Sequence, residues 1–211
     1  MKKFLKRVKR WCSRKLKALR LIGLKNKKFT IISNNCTGGY VYQHFGLGYN
    51  SPTAGLFFQT KDYVKLCANC EHYFSLDLEF IEPEESKNHS LFKETNGWGS
   101  YPVARLDDIE VYFMHYKTRQ EAEEKWVRRK NRADLSNAVY MYCENEGCTK
   151  EDVEQLLSIE NKNLLCFTYN DYNVTGATFS KEVNELEGHP WKPKIVMSMI
   201  NWKGYLNQLN K

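Results

Sequence analysis

The chain has 211 residues, 42% of them hydrophobic and 14% aromatic, which suits one packed domain and excludes a wholly disordered chain. Its formal charge of +7 conceals a division: residues 1–28 hold 13 Lys and Arg and no Asp or Glu, leaving 19 basic against 25 acidic residues in the remainder. That asymmetry assigns a polyanionic partner to the leader and not to the domain behind it.

In the leader, Phe4, Leu5, Val8, Trp11, Cys12, Leu16, Leu19 and Ile22 recur at spacings of three and four, so a helix would carry one apolar stripe opposite Lys and Arg. Such a helix suits the headgroup plane of an anionic membrane surface, reached through residues 1–25. Nucleic acid is not expected, because no aromatic residues interleave with the cations for base stacking. Packing of the stripe on the domain itself is the remaining alternative. Lys25–Lys28 reads as a short linker.

Phe29–Ser33 reads as a buried first strand, Asn34–Gly39 as a loop and Tyr40–Phe45 as a short helix. Gly46–Pro52 is turn-rich, and Thr53–Gln59 is apolar without a clear period. Lys61–Phe74 has helical spacing and Leu76–Ile81 suits a strand. Glu82–Ser100 reads as a loop, and Asp108–His115 as a strand. A capping-box pattern at Thr118 opens a helix to Arg132. Ala138–Cys143 is a strand, Thr149–Ile159 a helix and Leu164–Tyr169 a strand. Residues 170–188 are irregular, and 189–211 form a Trp-rich tail that packs back. Strands alternating with helices predict an α/β fold with a mainly parallel sheet flanked by helices. The expected divisions are 1–28 for the basic amphipathic leader, 29–170 for the core and 171–211 for a C-terminal extension.

The seven cysteines, with no secretory signal before them, predict reduced thiols in a cytoplasm. No stretch approaches the roughly 20 apolar residues of a spanning helix. The expected location is therefore the inner face of the plasma membrane, peripherally attached. Cys67 and Cys70 fall on an apolar helical stripe, which argues against a zinc site, and no other metal-ligand spacing is present. With no Walker A loop and no GxGxxG, no cofactor is expected.

Cys36 follows the first strand, where parallel sheets usually bind ligands. Asn34, Asn35, Gly38 and Gly39 surround it, and the glycines let backbone N–H groups approach a substrate or an anion. A thiol beside a helix N-terminus has a lowered pKa and is a better nucleophile. His115 ends the apolar face of its strand, on the same rim as Cys36 if the strands are parallel, which would make it the base for an activated thiol. Trp126, Arg129 and Arg132, at i, i+3 and i+6, could bind a phosphate. Each has a plainer reading: a buried strand-end Cys, a hydrogen-bonded core His, and a solvated helix face paired with Glu121, Glu123 and Glu124.

The ordered run Ile32–Gly39, Leu47–Thr53, Tyr101-Pro102, Asp108–Val111 with His115-Tyr116, Trp126 with Arg129 and Arg132, and Cys166–Thr168 resembles an uncharacterised bacterial family. Its members are often labelled capsule or exopolysaccharide biosynthesis proteins, and it is a domain of unknown function. The likeness spans residues 29–170 and leaves out the basic leader. It implies an α/β fold and a surface-polysaccharide context, with a sugar, glycan or lipid-linked glycan as substrate. The chemistry read from the residues is acyl transfer, with Cys36 as nucleophile, His115 as base, N–H groups near Gly38 and Gly39 as an oxyanion hole, and Arg129 and Arg132 on a phosphate. Glycosyl or phosphoryl transfer in the same pathway, or a non-catalytic membrane-docked adaptor, are the alternatives.

Overall fold

The structure, a computed structural model, describes residues 15–95, 97–160, 163–183 and 190–209. The leader residues Phe4, Leu5, Val8, Trp11 and Cys12 lie outside them. Residues 15–21 are helical (α1). Then come β1 (Thr30–Ser33), α2 (Thr37–Phe45), α3 (Thr60–Ala68), α4 (Cys70–Ser75), β2 (Glu79–Ile81) and α5 (His89–Phe92). They are followed by β3 (Val103–Leu106), β4 (Ile109–Tyr112), α6 (Arg119–Lys130), β5 (Ala138–Cys143), α7 (Lys150–Leu157), β6 (Leu164–Thr168) and β7 (Ala177–Phe179). The chain closes with α8 (Pro193–Ser198) and α9 (Trp202–Leu206).

The main sheet has the order β1-β5-β6-β7, with every neighbouring pair parallel. Its strands are short apolar runs because both faces are covered. Along β5, Tyr140 and Tyr142 face one cluster, with Ile32, Cys166 and residues of α3, α4, α6 and α7. Val139, Met141 and Cys143 face the other, with Val41 and Phe45 of α2 and the C-terminal Trp191, Val196, Trp202 and Leu206. The period of two thus divides one strand between two cores. The C-terminal segment supplies most of the second cover.

Asp108–His115 does not join the parallel sheet. β4 stops at Tyr112 and lies in a second, antiparallel sheet of order β2-β3-β4. Its partner β3 falls after the Gly- and Pro-punctuated stretch that reads as loop. Phe57 and Tyr112 exchange backbone hydrogen bonds, both 3.0 Å, joining this sheet to the segment beside the edge of β1. Phe58 N then donates to Asn34 O at 2.7 Å.

Residues 25–28 are not a free tether. Asn207 Oδ1 accepts from Lys25 N at 2.7 Å, and Asn26 Nδ2 donates to Asn137 Oδ1 at 2.8 Å. Leu24 is 3% exposed and belongs to the second core. The preceding turn of α1 is the opposite: Leu16, Leu19 and Ile22 are 51%, 61% and 67% exposed. Among the described residues, no helix is long and apolar enough to cross a membrane.

Candidate functional site

The carboxyl rim of the parallel sheet gathers the residues after β1, β5 and β6. Cys36 occupies the cap position of α2 without a capping hydrogen bond of its own. Asn35 does the capping: its Oδ1 accepts from Thr37 N at 3.1 Å and Thr37 Oγ1 at 2.6 Å. Asn34 is fully occupied as well. Its Nδ2 donates to Cys143 O at 2.8 Å and its Oδ1 accepts from Cys143 N at 2.9 Å, which extends the β1–β5 pairing with a side chain. Both asparagines therefore shape the rim and have little left for a substrate.

Gly38 has a packing role. A Cβ there would lie 2.5 Å from Ser33 Oγ and 2.9 Å from Ser33 Cβ, so its absence lets α2 sit on β1. At Gly39 a Cβ would meet only ordinary contacts, the nearest being Tyr49 Oη at 3.8 Å.

The Cys36 sulfur is half-buried and lies 3.6 Å from the Tyr40 hydroxyl, one helical turn on. Burial and the neighbouring Cys36 sulfur raise the Tyr40 pKa well above that of a free phenol, so its hydroxyl stays protonated and can donate to sulfur. Cys143 lies behind the rim, fully buried, its thiol donating to Thr37 Oγ1 at 3.3 Å and its pKa pushed well up by burial.

His115 does not end a strand of the parallel sheet. It follows β4, is exposed, and comes within 3.6 Å of where a Gly55 side chain would begin. It makes no hydrogen bond to a described residue, and none joins it to Cys36. The expectation of a shared rim assumed that β4 is a strand of the parallel sheet, whereas it belongs to the antiparallel one.

Trp126, Arg129 and Arg132 all have structural contacts. Trp126 is buried edge-on against Phe74, with ring centroids 5.6 Å apart. Arg129, itself buried, donates to Ala54 O at 2.7 Å and Tyr116 Oη at 2.6 Å and lies over the Tyr49 ring. Arg132 donates to Tyr49 O at 2.7 Å. Together they clamp residues 49–54 beside the edge of β1. A buried carboxylate that sequence reasoning missed, Glu144, is similarly filled: it accepts from Tyr169 N, Asn170 N, Asn170 Nδ2 and Tyr172 Oη. Among the described residues, no cluster of three or more His, Cys, Asp or Glu could hold a metal.

A groove borders the other end of α2. Two adjoining cavities, about 540 Å3 and 230 Å3, lie between α1, α2 and α8–α9 and share Arg20, His44 and Met197. Tyr40 lines the larger one, so one residue touches both the groove and the Cys36 sulfur. The groove cations Lys17, Arg20, Lys194 and Lys203 come from opposite ends of the chain, and no local motif announces them.

The architecture is that of an α/β protein with a four-stranded parallel sheet, a small antiparallel annex and a thiol-bearing rim. The chain belongs to the family described as "Domain of unknown function (DUF1919)", which matches residues 7–210. The match takes in most of the leader and the C-terminal helices, beyond the 29–170 of the sequence resemblance. A protein of Haemophilus influenzae described as an uncharacterized protein is 32% identical over 149 residues, 71% of this chain. The chain spans 66% of that relative's length.

Proposed function

We propose that this chain is a peripheral membrane protein of bacterial surface-polysaccharide synthesis, docked on the anionic inner leaflet by its leader and serving a lipid-linked glycan. The observation that carries the docking is the outward row Leu16, Leu19 and Ile22, at least half exposed, on α1 and the turn after it, in a leader that holds 13 cations and no carboxylate. The exposure of these three side chains favours docking over packing of the stripe on the domain. Apolar insertion and attraction to anionic lipid act together on such a helix. The polysaccharide context is supported by the resemblance of the ordered sequence motifs.

The test is fractionation of cells expressing Leu16→Ser/Leu19→Ser/Ile22→Ser. The wild type should sediment with membranes and the variant should not, with unchanged circular dichroism. An unchanged membrane fraction would sink the docking.

A second reading, acyl transfer, draws on the half-exposed Cys36 sulfur at the carboxyl rim. The thiol would attack an acyl carbonyl and form a thioester, while the donor's leaving group departs with the thiol proton. A glycan hydroxyl would then take the acyl group, returning its proton to sulfur. No hydrogen bond joins a described histidine to the sulfur, and for this reason the reading stands second. Cys36→Ser should fold normally and abolish polysaccharide modification; a fully modified polysaccharide would end it.

A further inference from the structure

We infer that the groove between α1, α2 and α8–α9 binds the phosphate-bearing headgroup of a bilayer lipid. The inference rests on the docking of α1 proposed above and adds what the docked protein would hold.

Lys17 and Arg20 enter the groove from α1, Lys194 from α8 and Lys203 from α9, and among the described residues no Asp or Glu lines it. None of the four forms an ion pair with a described carboxylate. Two are held in place by backbone oxygens: Arg20 donates to His44 O at 3.3 Å and Lys203 Nζ to Ile22 O at 2.7 Å. The accumulated positive potential is felt by His44, whose pKa is lowered by burial and then by Arg20 and Lys203. Like charges brought together without counter-charges repel one another, and a phosphate supplies both the charge and several acceptor oxygens. Four cations exceed what one singly charged diester needs and suit a phosphomonoester or pyrophosphate.

The volume of about 540 Å3 is more than a bare phosphate fills. It falls in the range of roughly 300–1,000 Å3 that encloses a small organic ligand, so the glycerol that carries the phosphate also has room. Met197, which borders both cavities, offers apolar surface for its carbon skeleton.

The lipid source follows from α1 itself. The helix α1 and the turn after it present Leu16, Leu19 and Ile22 outward, and α1 presents Lys17 and Arg20 to the groove. An interfacial helix lies at headgroup level. Docking the apolar row would therefore bring the groove beside the phosphates of the same leaflet.

The experiment uses the full chain and vesicle flotation. One vesicle set is phosphatidylcholine with phosphatidylglycerol, a diester. The other is phosphatidylcholine with phosphatidic acid, a monoester, at matched surface charge. The wild type should prefer phosphatidic acid about tenfold. Lys17→Gln/Lys194→Gln should abolish the preference, whereas Lys25→Gln/Lys27→Gln, which removes the same charge outside the groove, should weaken binding to both sets and keep it. Absence of a wild-type preference, or its survival in Lys17→Gln/Lys194→Gln, would overturn the groove while leaving the docking intact. If Leu16→Ser/Leu19→Ser/Ile22→Ser binds both vesicle sets like wild type, the docking falls and the lipid assignment with it. Calorimetric binding of soluble glycerol 3-phosphate as tight as that of phosphatidic acid would also overturn the lipid assignment.

Discussion

Replacing Gly38 by Ala tests whether α2 is seated on β1 by a missing side chain. The new Cβ would stand 2.5 Å from Ser33 Oγ, 2.9 Å from Ser33 Cβ and 3.0 Å from Ile31 Cγ2. Ser33 cannot swing clear, because it is buried and its hydroxyl donates to Asn35 O at 2.8 Å. Relief requires α2 to lift from the sheet, and overpacking of this kind costs about 1–3 kcal/mol. Taking the middle of that range, about 2 kcal/mol, and subtracting the up to about 1 kcal/mol of helix propensity that alanine recovers leaves a net loss of roughly 1–2 kcal/mol. In a chain of this length that lowers Tm by about 2–8 °C. Urea unfolding should show a lower midpoint at unchanged slope. Ser33→Gly removes both of the closest atoms, so the Gly38→Ala/Ser33→Gly double variant should lose less than the sum of the singles, by about 1 kcal/mol. A Gly38→Ala protein as stable as wild type, or an additive cycle, would refute the packing argument and return Gly38 to the candidates for ligand binding.

Arg129→Met should destabilise the fold by about 2–4 kcal/mol in urea unfolding, because it leaves Ala54 O and Tyr116 Oη without their buried donor; a free anion-binding arginine would be lost at little cost. Because the folded pKa of His44 is depressed, the unfolded chain takes up its proton first as the pH falls. The stability linked to neutral His44 is therefore complete above about pH 6.5 and is lost as the pH drops toward the folded value. Thermal unfolding between pH 7.5 and 5 should decline less steeply in His44→Gln than in wild type, and equal slopes would contradict this.

The parallel sheet was legible because β1, β5 and β6 are short apolar runs separated by capped helical segments; the Thr118 and Thr149 hydroxyls accept from the backbone N–H three residues on. The sheet membership of β4 was not. Alternation along Ile109–Tyr112 says strand and says nothing of its neighbour, and the neighbour β3 is four residues in a Gly- and Pro-marked region. Arginine spacing on α6 read as an anion site because the acceptors of Arg129, at Ala54 and Tyr116, come from outside its helix. The groove had no local signature, since Lys17 and Lys194 meet only when the two chain ends converge on one side of the sheet.

The strand order carries a consequence for synthesis on the ribosome. Thr30 of β1 pairs with Ala138 of β5, and the Trp191 and Trp202 side chains that close over the second core come later still. A nascent chain therefore holds β1 without a strand partner until β5 has been made, with α2 covering only one of its faces. Slow, non-local closure of this kind exposes the half-made protein to aggregation. A bulky fusion at the carboxyl end, near the last pieces to be slotted in, should harm yield more than one at the amino end.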